Sequence, residues 1–240
     1  MKILTIIPAR GGSKGIPKKN IRPFAGHPLI AWSIGQSLRS KHINRTIVST
    51  DDPEIRDVAL RYGAEVPFLR PPEIAGDSAT VESALLHTLE YLRQTEEYSP
   101  EIVVLLQPTS PIRQDGTINR AIEEFRTQEC DSLLSVSAGH LFYWKNADDP
   151  IALYDHTARP IRQSIMERDK IYAETGSIYL FKASILLSQH NRLGGKIHLF
   201  QLSSVEGIDI NTAEDFALAE MIAQQMKEKL PPPLVNPTIR

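Results

Sequence analysis

From Pro8 to Asn20 the chain reads Pro-Ala-Arg-Gly-Gly-Ser-Lys-Gly-Ile-Pro-Lys-Lys-Asn, which joins a glycine-rich backbone to four cationic side chains. Gly11, Gly12 and Gly15 let the chain take positive φ and bring its amides against a ligand. Arg10, Lys14, Lys18 and Lys19 supply charge that phosphate oxygens accept. Backbone and side chains would then act on one anion, and a polyphosphate suits both. Neither of two common phosphate motifs is met. Aligning the last two glycines of Gly-x-Gly-x-x-Gly on Gly12 and Gly15 puts Arg10 where the first should stand, and Gly15 is followed by Ile16 and Pro17 rather than the Lys-Ser/Thr of a P-loop. A nucleotide fits, whereas hydride transfer and Walker-type hydrolysis do not. The alternative is a solvated basic connection with no ligand.

Further polar groups follow apolar runs. Asp209 comes after Ile208 and precedes Ile210, Asn211 and a capped helix, so its carboxylate is a candidate for a divalent cation held by oxygen ligands. Asn211 lies two residues on and shares the face of Asp209, where it can add a carbonyl oxygen. An Asx-type turn is the other reading of Asp209. Asp52 before Pro53 suits an N-cap, which leaves Asp51 as the functional member of that pair. Gln107, Ser110 and Arg113 sit in a Pro-punctuated loop and offer amide, hydroxyl and guanidinium groups to a polar substrate; the alternative is a rigid turn with Arg113 on the surface. Arg70, before Pro71 and Pro72, is either a ligand cation or a surface one. The seven histidines show no metal-site spacing and are read as structural.

These candidates need a scaffold that collects strand ends. Apolar runs at 3–7, 46–49, 102–106 and 132–136 read as strands, with helical patterns at 28–40, 53–62, 79–95 and 115–127 between them. The alternation predicts an α/β fold with a doubly wound, mostly parallel sheet whose site forms from loops at the strand carboxyl ends. Residues 139–172 break the rhythm with Tyr143, Trp144, two prolines and a dense Arg/Asp mix, and read as an inserted lid or oligomer contact. The chain resumes with a strand from Ile178, a short helical piece, an apolar run at 197–202 and a last helix from Thr212 to about residue 228, capped by Thr212 and Asp215. The tail from 230 to 240 cannot continue a helix past Pro231, Pro232 and Pro233, and is read as loose or packed on a neighbour.

A chain of 240 residues with 41% hydrophobic content can bury one large core, and a single domain spanning 1–240 is expected. The net charge of -2 argues against a general nucleic-acid or membrane-surface binder, so the positive charge near residues 10–19 is local. Cys130 is the sole cysteine, which excludes an internal disulfide and a multi-cysteine zinc site. With no apolar leader or spanning segment, the expected location is the cytoplasm.

The loop 8–20 resembles that of the acylneuraminate cytidylyltransferases, and so do Val48–Asp51, Leu69–Glu73, Leu105–Pro111, Gly176–Tyr179 and Asp209–Thr212, all in the same order. The resemblance runs from Ile3 to about Ala219. It implies a nucleotidyltransferase fold in which CTP and a nine-carbon 2-keto sugar acid give a CMP-sugar and pyrophosphate with Mg²⁺. It implies that Arg10 and Lys14 are catalytic and that Ala9, Gly11, Gly12, Ser13, Lys19, Asn20, Arg70 and Asp77 serve the nucleotide. By the same resemblance Gln107, Arg162, Gln163 and Tyr179 serve the sugar and the protein forms a homodimer through the insertion; Ser110 joins the sugar side, and Asp209 and Asn211 the metal, from their positions as read above. One departure is Asp209-Ile210-Asn211 where the sialate enzymes tend to read Asp-x-Asp. N-acetylneuraminate, legionaminate and pseudaminate types stay open as the sugar. Two other functions are a sugar-1-phosphate nucleotidyltransferase and a non-catalytic nucleotide sensor.

Overall fold

The computed structural model describes residues 1–139, 142–161, 163, 165–166 and 169–235. In chain order the elements are β1 (Ile3–Pro8), the two-residue strands β2 (Pro23–Phe24) and β3 (His27–Pro28), α1 (Leu29–Leu38), β4 (Arg45–Ser49), α2 (Pro53–Arg61), α3 (Val81–Glu96), β5 (Ile102–Leu106), α4 (Thr117–Thr127) and β6 (Ser132–Ala138). After them come β7 (Trp144–Lys145), β8 (Ile151–Ala152), β9 (Tyr172–Lys182), α5 (Ala183–Gln189), β10 (Ile197–Leu202) and α6 (Ala213–Gln225).

Six strands form one sheet in the order β10-β6-β9-β5-β1-β4. β1 pairs in parallel with β4 and β5, β10 pairs in parallel with β6, and β9 runs antiparallel to both of its neighbours. The sheet is buried on both faces, which is why its strands read as unbroken apolar runs. Ile3, Ile7 and Val104 pack with Ile30 and Ile34 of α1, Ala59 of α2 and Phe125 of α4. Leu4, Ile6 and Leu105 point the other way, to Leu85, Leu89 and Leu92 of α3 and Leu186 of α5.

A third cluster ties the polar loops to the last helix. Ile16 of the basic loop, Ile112 and Ile210 are buried with Phe24, Trp32 and Phe216. One apolar residue from each of three ligand-bearing segments thus enters the same small core, which limits how far those segments can move independently.

Two expectations, the start of β9 and the loose tail, are corrected, and the insertion gains local detail. β9 starts at Tyr172 rather than Ile178, and its first half escapes an apolar pattern because Ala173 and Glu174, which pair with β6 but extend past β5, are exposed. Within 139–172 the strands β7 and β8 form a small hairpin. The tail is not loose as far as Pro233: Leu230 and Pro233 are buried, and Arg39 donates to the carbonyls of Pro231 at 3.0 Å and Pro232 at 3.3 Å. Among the described residues no helix is long and apolar enough to cross a membrane.

Candidate active site

The basic loop leaves β1 at its carboxyl end, where it is tied down from three sides. The Ala9 amide donates to the Ser49 carbonyl at 2.9 Å, and Asn20, itself buried, donates its amide hydrogen to the Arg10 carbonyl at 2.9 Å. The Gly11 amide donates to Asp51 Oδ1 at 3.0 Å. Asp52 caps α2 by accepting from the Glu54 and Ile55 amides at 2.7 and 3.3 Å. The adjacent acids therefore divide two tasks, one for the helix and one for the loop.

None of Gly11, Gly12 and Gly15 takes a positive φ; Gly11 and Gly15 serve close approach, and Gly12 faces open space. A Cβ on Gly11 would lie 2.6 Å from Asp52 Oδ2, and one on Gly15 would lie 2.7 Å from the Asn211 carbonyl oxygen. The left-handed residue of the loop is Lys18, at φ 52°. Its amine turns outward to Glu54 Oε2 at 2.6 Å, so Lys18 does not contribute charge to the cleft as its position suggested.

What remains is a cleft of about 440 Å³ lined by Arg10, Ser13, Lys14, Lys19, Asn20, Arg70, Asp77, Thr80, Gln107 and Asn211. That size falls within the range of small-molecule sites. Lys19 donates to the Ile210 carbonyl at 2.9 Å, and burial pulls its amine below the usual lysine range. Arg70 is buried, donates to Ser49 Oγ at 3.2 Å and also meets the Ser49 carbonyl. Burial lowers its guanidinium as well, while nearby Asp51 opposes the shift. Asp77 faces two cations: its Oδ1 lies 2.9 Å from Arg10 and its Oδ2 lies 2.7 Å from Lys14. The hydrogen bond from Lys14 is the largest cause that holds the Asp77 carboxyl below the ordinary carboxylate range. Four cations around one cleft favour an anion of several charges.

Asp209 and Asn211 stand beside the loop. Asn211 donates its side-chain amide to Asp209 Oδ2 at 3.0 Å, and Asp209 Oδ1 is buried without a hydrogen-bond partner. Asp215 completes a capping box with Thr212 and accepts from the Asn211 amide at 3.0 Å, which fixes the backbone of 211–215 at the start of α6. Asp209 does not itself line the cleft, though Asn211 does, and an orphaned carboxylate oxygen next to the cleft wall fits a cation that draws its other ligands from phosphate and water. Among the described residues no three His, Cys, Asp or Glu side chains cluster into a site made of protein alone.

The acceptor-side candidates fall into different places. Gln107 lines the cleft, and its side chain lies over Gly176, where a Cβ would stand 3.5 Å from Gln107 Oε1. Ser110 does not reach the cleft: it is fully buried and its hydroxyl lies 3.4 Å from the Thr175 carbonyl, pinning the loop to β9. Arg113 is neither a surface residue nor a ligand, being 0% exposed beneath the loop. Tyr179 lies in the core at 2% exposure, its hydroxyl donates to Glu174, and Arg192 stacks 4.5 Å from its ring centroid. Burial, then the Glu174 bond, pushes its phenol up to about 12. Gln163 is exposed, and Arg162 lies outside the described residues. Cys130 is buried and bonds the Phe125 carbonyl. Sequence reasoning did not foresee the tie of Asp51 to Gly11 or that of Asp77 to Arg10, because each joins residues 40 or more positions apart.

A mostly parallel α/β sheet that gathers a cation-rich loop, a lone carboxylate and a polar loop at its strand carboxyl ends defines a nucleotidyltransferase-like protein. The family model Cytidylyltransferase matches residues 4–227, and the chain belongs to that family. It is therefore a nucleotidyltransferase enzyme. It is 36% identical over 233 residues to a CMP-N,N'-diacetyllegionaminic acid synthase of Legionella pneumophila, covering 96% of this chain and 100% of the relative. It is 30% identical to a pseudaminic acid cytidylyltransferase of Campylobacter jejuni, covering 92% of this chain and 96% of that one. An N-acylneuraminate cytidylyltransferase A of Danio rerio is 36% identical over 91% of this chain, which spans 50% of that longer protein. A CMP:2-keto-3-deoxy-manno-octonic acid synthetase complexed with CTP shares the fold at a TM-score of 0.69 and 16% identity, over 94% of this chain and 99% of the other. Cytidylyltransferases of this kind typically use a divalent metal.

Proposed function

We propose that the protein transfers CMP from CTP to the anomeric hydroxyl of a nine-carbon 2-keto sugar acid of the N-acetylneuraminate, legionaminate or pseudaminate type. The observation that carries the reading is the cleft itself, which Arg10, Lys14, Lys19 and Arg70 line together with Gln107 and Asn211. The full-length likeness to a legionaminic acid synthase supports the same acceptor class.

In this reaction the acceptor oxygen forms a bond to the α-phosphorus as the bond between that phosphorus and the bridging oxygen to the β-phosphate breaks. Pyrophosphate leaves with the bonding pair, and the hydroxyl proton passes to solvent. Arg10 and Lys14 would hold the β- and γ-phosphates and stabilise the charge that develops on the leaving group, a use of donors already in place before reaction. Ala9, Gly11, Gly12 and Ser13 would present backbone to the triphosphate, with Lys19, Asn20 and Arg70 around the nucleotide. Gln107 would orient the sugar acid, with Gln163 of the insertion on its outer side, while Tyr179, buried in the core, would not touch the sugar. Asp209 and Asn211 would hold Mg²⁺, which when bound would neutralise phosphate charge.

We also place the protein in the cytoplasm as a homodimer. The 144–171 stretch exposes Trp144, Leu153 and Met166 at 50, 49 and 58%, the apolar surface such a contact needs.

The reading is tested by pyrophosphate release with Mg²⁺ and CTP across nonulosonates, a 3-deoxy-octulosonate and a sugar-1-phosphate. Turnover with a nonulosonate supports it, and turnover with the sugar phosphate alone overturns it.

A further inference from the structure

Gln107, β9 and the stretch 203–211 come from three parts of the chain, yet one buried network joins them. At its centre is Arg113, every donor of which meets an acceptor. Its Nε and Nη2 reach the Ser177 carbonyl at 3.2 and 2.6 Å, and Nη2 also reaches the Gln107 carbonyl at 2.9 Å. Its Nη1 donates to Ser33 Oγ at 3.0 Å and Gln36 Oε1 at 2.9 Å. Gln36 in turn donates to the Pro111 carbonyl at 2.8 Å, closing the loop onto α1.

The network continues toward the metal side. Gln114, next in sequence, donates its amide to Glu206 Oε1 at 3.0 Å; buried Glu206 also accepts from Thr117 Oγ1 at 2.6 Å and Ser203 Oγ at 2.9 Å. The Ile210 amide donates to the Thr109 carbonyl at 2.8 Å. A buried cation is a costly choice for mere packing, since desolvation opposes its charge. Here all the facing groups are acceptors, so the charged form stays. The gain is geometric: a planar fork spans carbonyls on two segments and side chains on a third, which a compact ammonium cannot do.

We propose that Arg113 is the positioning residue for the acceptor. It locks the Gln107 backbone to the Gly176–Ser177 bend of β9, so that the Gln107 amide meets the sugar acid in one orientation. Gly176 completes the device, because its φ of 69° turns the strand in a conformation that other residues rarely adopt, with Gln107 in contact beside it. Arg113 acts through Gln107 and touches no substrate. The proposal deepens the CMP-transferase reading and rests on it.

The test compares wild type, Arg113→Lys and Gln36→Met. The acceptor KM is measured at saturating CTP, and the CTP Kd by titration without acceptor. The expected result for Arg113→Lys is an acceptor KM raised about tenfold or more with a lower kcat, because misplacement by about 1 Å can cost about a hundredfold in rate. The CTP Kd should stay within about twofold, since Arg113 does not line the cleft and bonds none of Arg10, Lys14, Lys19 or Arg70. Gln36→Met removes one anchor of the fork and should move acceptor KM in the same direction by less; if Arg113→Lys fails to fold, this variant decides. An unchanged acceptor KM overturns the proposal, and so does an equal loss of acceptor and CTP binding. Wild-type protein inert to every nonulosonate overturns the functional reading and this proposal together, whereas turnover with unchanged variant KM overturns the proposal alone.

Discussion

Asp77 presents its carboxylate to Arg10 and Lys14, the two donors assigned to the leaving phosphates, so it competes with phosphate for the same charges. Removing that carboxylate charge favours the phosphate. Asp77→Asn is expected to lower the CTP Kd by about threefold at low salt, the scale of an exposed ion pair, and titration calorimetry reads it. Weaker CTP binding would instead put Asp77 on the side of the nucleotide. Because the carboxyl is held below the ordinary aspartate range, the pairing is fully present above that range and is lost as pH falls through the lowered value. The competition should therefore be constant around neutral pH and fade only in acid. Arg10→Ala is expected to lower kcat by about a hundredfold or more with an unchanged far-UV circular dichroism spectrum. At this scale the cleft was half legible. Arg10, Lys14, Lys19 and Gln107, picked out by their place after apolar strands, line it, as does Asn20, which only the resemblance singled out, whereas Ser110 and Arg113 look identical in sequence to ligands and are buried anchors. Local sequence records that a polar group follows a strand, but not which way its side chain turns.

Elements were read more surely than residues because their signals are local. The buried strands at 3–8, 45–49 and 102–106 differ from their apolar runs by one residue at most at either end, and α2 begins at Pro53 behind the Asp52 cap. Asp52→Ala should cost about 1 kcal/mol of stability, the usual effect of losing an N-cap, read as a lower midpoint in urea with an unchanged slope. The misses have physical causes. β2 and β3 are two residues each and turn through Ala25 and Gly26, both at positive φ, too short for any period to show. The first half of β9 is half-solvated, and its pairing with β6 shifts register between Leu134 and Val136, so no regular alternation survives there.

For the whole molecule, the alternation of strands and helices anticipated a mostly parallel sheet, but it could not reveal that the one antiparallel strand sits at its centre between β5 and β6. That inserted strand brings Gly176 and Ser177 beside Gln107, so the sheet order itself builds the acceptor side of the cleft. At this scale the homodimer is also tested: light scattering should give twice the 26.9 kDa chain mass, and Trp144→Arg should shift it toward the monomer. A monomeric wild type would contradict the proposed contact. The central claim is most directly tested by incubating the protein with CTP, Mg²⁺ and a legionaminate derivative, with N-acetylneuraminate and pseudaminate derivatives alongside, and following pyrophosphate. Release that needs both CTP and one of these nonulosonates, and that Arg10→Ala abolishes, is the predicted result. Tight CTP binding without release from any of them would contradict it.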